Sequence, residues 1–140
     1  MRRSALVALL TLLVLPLALA GATAARPADP TYLALAQKGV ADAKTFWWDA
    51  KRGWYDDTIR DPSPMPLARL WSAYPLFEAL DGIAVASPTA ANRAAVRAFA
   101  KGAERYWNPD VGGYAYYPNE RGPNKMTFFD DNGWWGLAFM

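Results

Sequence analysis

Residues 128–139 read Phe-Phe-Asp-Asp-Asn-Gly-Trp-Trp-Gly-Leu-Ala-Phe, two adjacent carboxylates set among six bulky apolar side chains. Carboxylates are costly to bury without partners, so their placement needs a reason. Acidic residues at a helix start meet free backbone N–H groups and the positive end of the helix dipole. The stretch therefore predicts a helix that begins near Asp130 and carries Trp134, Leu137 and Ala138 inward. Capping needs only one of the two acids, and it calls for none of the surrounding rings. Adjacent α-carbons lie about 3.8 Å apart and successive helical side chains diverge, so Asp130 and Asp131 would flank a small volume. Retaining glycosidases use two carboxyl groups about 5–5.5 Å apart, one as nucleophile and one as proton donor. Mutual repulsion would keep one of them protonated. The rings suit a sugar, whose apolar face packs on an aromatic surface.

Working back along the chain, the pattern is helix, loop, helix, turn, helix, loop, helix. The first helix is capped by Asp29, opens at Pro30 and aligns Ala36, Val40, Ala43 and Trp47 on one face. Residues 51–66 hold Gly53 and three prolines and read as a loop. A second helix runs from about Trp71 to Ala86, with Pro75 tolerated in its first turn and Phe77, Leu80, Ile83 and Ala84 on one face. The third is capped by Ser87 with Pro88 at its first position. Val96, Phe99, Ala103 and Tyr106 form its apolar face, and Arg93, Arg97 and Lys101 its wet side. A second loop follows, with a short extended piece at 114–117. No internal repeat is evident at this level. A second acidic pair, Asp56-Asp57, reads as ordinary turn chemistry. Calcium is a weaker alternative there, since Asp56, Asp57 and Asp61 lack the EF-hand spacing.

The N-terminus reads as a leader: Arg2 and Arg3, an apolar run from Ala5 to Ala20 broken by Pro16, then small residues as far as Ala24. The run is shorter than the ~20 residues that span a bilayer. The expectation is a signal peptide at 1–24, an exported product at 25–140 and no stable membrane anchor. The 15 Lys and Arg against 13 Asp and Glu then become 13 against 13, because the leader holds two Arg and no acid. With no basic run of five or more residues, nucleic acid is not expected as a partner. The chain has no Cys and no His, which removes disulfides, thiol nucleophiles, thiolate or imidazole metal sites and a Ser-His-Asp triad.

The string FFDDNGWWGLAF closely resembles the acidic motif of glycoside hydrolase family 76, the bacterial and fungal endo-α-1,6-mannanases. The Trp-led helix at Trp71 and the third helix ending in RYWNPDVGGY (105–114) resemble that family's layout. The resemblance implies an all-α fold, part of an (α/α)6 toroid, and a retaining hydrolysis of α-1,6-mannosidic bonds. Asp130 would be the nucleophile and Asp131 the acid/base. Candidate substrate-binding residues are Trp71, at a helix start beneath a loop, with Trp135 and Asn132 beside the acid pair. Adjacent tryptophans on a helix also serve as core. Loop residues Trp54, Tyr116 and Tyr117 are candidates to line a cleft. The resemblance implies no metal and no organic cofactor, and an α-mannan polysaccharide as partner. It covers the opening third of the family's domain, so the expectation is an N-terminal portion whose inner helix faces lack partners. The other readings are a catalytically inactive remnant, a carbohydrate-binding piece, or another (α/α)6 sugar-active enzyme such as an unsaturated glucuronyl hydrolase or an epimerase.

Overall fold

The computed structural model describes residues 30–140; the expected leader lies outside the described residues. Among these, four α-helices carry the fold: α1 (Pro30–Phe46), α2 (Leu70–Ala86), α3 (Ala90–Ala103) and α4 (Phe129–Ala138). The class is all-α, as the periodicity predicts. The loops are more ordered than the sequence reading allows. Strands β1 (Trp48–Asp49) and β2 (Trp54–Tyr55) pair antiparallel after α1. Strands β3 (Trp107–Asn108) and β4 (Gly113–Tyr114) do the same after α3.

These two hairpins correct the view that the chain has no internal repeat. WDAKRGWY (48–55) and WNPDVGGY (107–114) share Trp, then Asp or Asn, then Gly, then Tyr at matching positions. In both, the first-strand carboxylate or amide folds back on its own turn: Asp49 Oδ1 accepts from Lys51 N and Arg52 N, and Asn108 Oδ1 accepts from Asp110 N. Gly53 and Gly112 both take φ +65°, where a side chain would be strained. Each hairpin closes on an edge-to-face Trp–Tyr pair, Trp48–Tyr55 at 5.1 Å and Trp107–Tyr114 at 5.4 Å. The likeness continues outward, since Asp56 N donates to Trp47 O at 2.7 Å and Ala115 N to Tyr106 O at 2.7 Å. The described chain is thus two helix–hairpin–helix units, α1 with α2 and α3 with α4.

Helix α2 lies against each of the other three helices. Its buried residues Leu70, Ala73, Tyr74, Phe77 and Leu80 form one cluster with Phe99 and Ala103 of α3, Trp54 of β2 and Trp135 of α4. Tyr106 locks the layers together: its hydroxyl donates to Ala68 O at 2.6 Å and accepts from Trp54 Nε1 at 2.8 Å. Burial pushes that phenol well above its usual range, so it stays a donor. Gly102 lets Trp54 pass close to α3, because a Cβ there would sit 2.4 Å from Trp54 Cζ3.

Three local expectations change. Thr89, not Ser87, caps α3: its side chain accepts from Asn92 N at 3.1 Å, and Pro88 precedes the helix. Pro75 is the sixth residue of α2, beyond the first turn. Its missing N–H leaves the Trp71 carbonyl without its ordinary helical donor, a loss that water can make good because Trp71 and Pro75 are both exposed. In α4 it is Trp135 that points inward, fully buried, whereas Trp134 and Leu137 are 44% and 55% exposed.

Candidate active site at the start of the fourth helix

The residue flanking α4 on its N-terminal side is Phe128, in extended conformation and with no side-chain cap. Asp130 and Asp131 are therefore the second and third residues of the first turn, and neither caps the helix from the flanking position. Both still lie at the positive end of the helix dipole. Their environments differ. Asp130 is exposed, while Asp131 is 7% exposed. Burial holds the Asp131 carboxyl above the ordinary carboxylate range, and the charge on Asp130 adds to the effect. One acid in water beside one acid pushed toward its neutral form is the asymmetry a nucleophile and proton donor require.

Asn132 fixes this turn in place. Its Oδ1 accepts from Tyr114 N at 2.7 Å, and its Nδ2 donates to Tyr114 O and Phe128 O, both at 2.9 Å. Both amide protons are thereby used. Asn132, a candidate substrate contact in the sequence, acts in this structure as a clamp that ties α4 to β4.

Trp135, the other candidate on this helix, lies in the core. It has no exposed surface, it packs against Phe77, Phe99, Tyr106 and Tyr114, and its Nε1 donates to Leu70 O at 3.0 Å. A ring with no open face cannot stack on a sugar. That bond instead brings the first turn of α2 beside α4.

Trp71 stands in the first turn of α2, 50% exposed and stacked on Tyr74 with 6.1 Å between ring centroids. Tyr74 in turn meets Trp134 at 5.9 Å. Trp134 follows Asp130 by four residues and Asp131 by three, so it shares their helix face, and helical side chains lean back toward the N-terminus. The result is a chain of ring contacts, Trp71–Tyr74–Trp134, from α2 to the acid pair, in which Tyr74 is buried and the two tryptophans are exposed. The sequence reading missed Trp134 here, because it assigned that ring to the core.

The loop aromatics divide. Trp54 is 2% exposed and belongs to the core, which corrects its placement in a cleft. Tyr117 is half-buried and its hydroxyl accepts from Leu67 N at 3.0 Å. Tyr116 is half-buried between the Arg69 guanidinium, 5.7 Å from its ring, and the edge-on Phe128 ring at 5.5 Å.

The other acidic pair is not the solvated turn expected of it. Asp57 forms an ion pair with Arg69 and accepts from Arg69 N at 3.4 Å, which joins the loop to the start of α2. Asp56 Oδ1 is buried without a hydrogen-bond partner. Among the described residues, no group of three or more acidic side chains is gathered as a metal would need. Comparison with family models, with curated proteins and with solved structures gives no match for this chain.

Proposed function

We propose that this chain is the N-terminal portion of a retaining glycoside hydrolase of the family 76 type, acting on α-1,6-mannosidic bonds in an exported setting. The observation that carries the reading is the unequal acid pair in an uncapped first turn, with two exposed tryptophans, Trp71 and Trp134, near it. Asp131, desolvated and raised in pKa, is the proton donor to the leaving glycosidic oxygen and then the base that activates water. Asp130, exposed at the positive end of the helix dipole, is the nucleophile that forms the glycosyl–enzyme bond. Trp71 and Trp134 present the apolar surface on which a pyranose would lie.

The two helix–hairpin–helix units support the toroidal part of the proposal. Repeated units that each leave an apolar face open are how ring-shaped and solenoid architectures are built. Here Trp71, Trp134 and Leu137 leave such a face on α2 and α4. In this reading the chain supplies the first two units of an (α/α)6 ring, with the acid pair on its inner rim.

The test is incubation with linear α-1,6-mannan, following reducing ends and the anomeric configuration of the first product by NMR, alongside titration with an α-1,6-linked mannotetraose. Hydrolysis with retention, lost in Asp130→Asn and Asp131→Asn while helicity is kept, is the expected result. Activity that survives Asp130→Asn would remove the nucleophile assignment. Absence of both hydrolysis and mannotetraose binding at Trp71 and Trp134 would remove the reading.

A further inference from the structure

Away from the acid pair, a cavity of about 420 Å³ opens between α1 and α2. Its walls are small and apolar: Ala36, Val40 and Ala43 on one side, Ala73, Leu76 and Ala79 on the other. That volume lies within the usual range of small-molecule sites. At the end where α1 gives way to β1, the wall includes Asp56 and also Asp57, which is paired with Arg69.

Asp56 is out of place in three respects. Its Oδ1 is buried and meets no hydrogen-bond donor among the described residues, although buried acceptors are nearly always satisfied. Arg52 and Arg69 are paired with Asp49 and Asp57, and Arg52 reaches Asp56 only through its charge. The architecture does not call for an acid, because the matching position after the second hairpin holds Ala115, fully buried and with the same backbone bond. Burial and then the charge of Asp49 raise the Asp56 pKa, with a smaller opposing pull from Arg52, and a bound cation would offset the raised cost of the charge. The negative end of the α1 dipole also lies at this side of the cavity, since Asp56 N donates to Trp47 O just past the helix end.

We propose that the groove between α1 and α2 is a binding site for a compact organic cation, with an ammonium head donating to the Asp56 carboxylate and an aliphatic body against the alanine-lined walls. Charge complementarity selects the occupant. A neutral amphiphile would satisfy the walls but gain less from Asp56, and an anion would be repelled by it. The site is separate from the acid pair on α4 and stands whether or not that pair hydrolyses a glycan.

The experiment uses three probes of one shape, cyclohexylammonium, cyclohexanol and cyclohexanecarboxylate, each titrated into the purified chain and followed by ¹H–¹⁵N NMR. Cyclohexylammonium should bind at least tenfold more tightly than cyclohexanol, with shifts at Val40, Asp56 and Leu76, and the carboxylate should not bind there. Asp56→Ala, which installs the residue found at the matching position, should remove the preference for the ammonium while leaving the fold intact by circular dichroism. Ala79→Leu, which fills the groove and keeps the carboxylate, should weaken all binding. Equal affinity for ammonium and alcohol, an ammonium preference that survives Asp56→Ala, or no shifts at these residues up to the solubility limit would each overturn the proposal.

Discussion

Replacing Trp135 and Trp134 in turn separates the core residue from the surface one. A fully buried indole withdraws about 150–250 Å² from water, worth roughly 4–6 kcal/mol at about 25 cal/mol per Å². Large-to-small replacement at such sites typically costs about 3–5 kcal/mol. Trp135 is fully buried among five aromatic rings and holds Leu70 O at 3.0 Å, so Trp135→Ala should fall at the upper end. Against a total stability of about 5–15 kcal/mol for a small domain, that loss leaves the chain marginal or unfolded. Trp135→Phe keeps most of the packing and loses the hydrogen bond, for about 1–3 kcal/mol. Trp134 is 44% exposed and has about half the buried area at stake, so Trp134→Ala should cost about 2 kcal/mol. Urea unfolding followed by far-ultraviolet circular dichroism gives all three values. A Trp134→Ala chain as unstable as Trp135→Ala would show that the rotation of α4 described here is wrong, and with it the chain of ring contacts beside the acid pair.

Asn132→Leu removes three hydrogen bonds between α4, β4 and Phe128 and should cost roughly 2–4 kcal/mol at about 1 kcal/mol each; amide exchange at Tyr114 should speed up more than exchange in α3, and uniform change would refute the clamp. Asp131→Asn should stabilise the chain near neutral pH. The folded-state pKa of Asp131 is raised, so its contribution is fully favourable only below the unfolded-state pKa and is lost as pH rises through the folded one. The gain from Asp131→Asn should therefore vanish toward pH 3. A gain that grows in acid would contradict the desolvation of this carboxyl.

The order of helices and their approximate bounds follow from the sequence alone, because apolar residues at helical spacing, Pro30 at a helix start and glycine-rich breaks act within a turn or two of the chain. The acid pair was legible for the same reason, as an excess of carboxylates over what one helix start needs. The repeated hairpin was also within reach of the sequence, as Trp-Asp/Asn followed by Gly and Tyr in 48–55 and 107–114. It escapes notice because two-residue strands carry almost no alternation to detect.

Other features depended on contacts between distant segments. Helix α4 bears large apolar side chains on nearly every side, so local sequence leaves its rotation open. Docking against α2, fixed by Trp135 Nε1 on Leu70 O, decides that Trp135 enters the core and Trp134 faces the acid pair. Asn132 looks like a ligand in sequence and becomes a clamp only because β4 arrives beside it. Asp56 and Asp57 are indistinguishable turn acids until Arg69, twelve residues away, takes one and leaves the other without a donor. Periodicity is a short-range property and was readable; which side of a helix is buried, and which polar group finds its partner, are settled by residues far away in the chain.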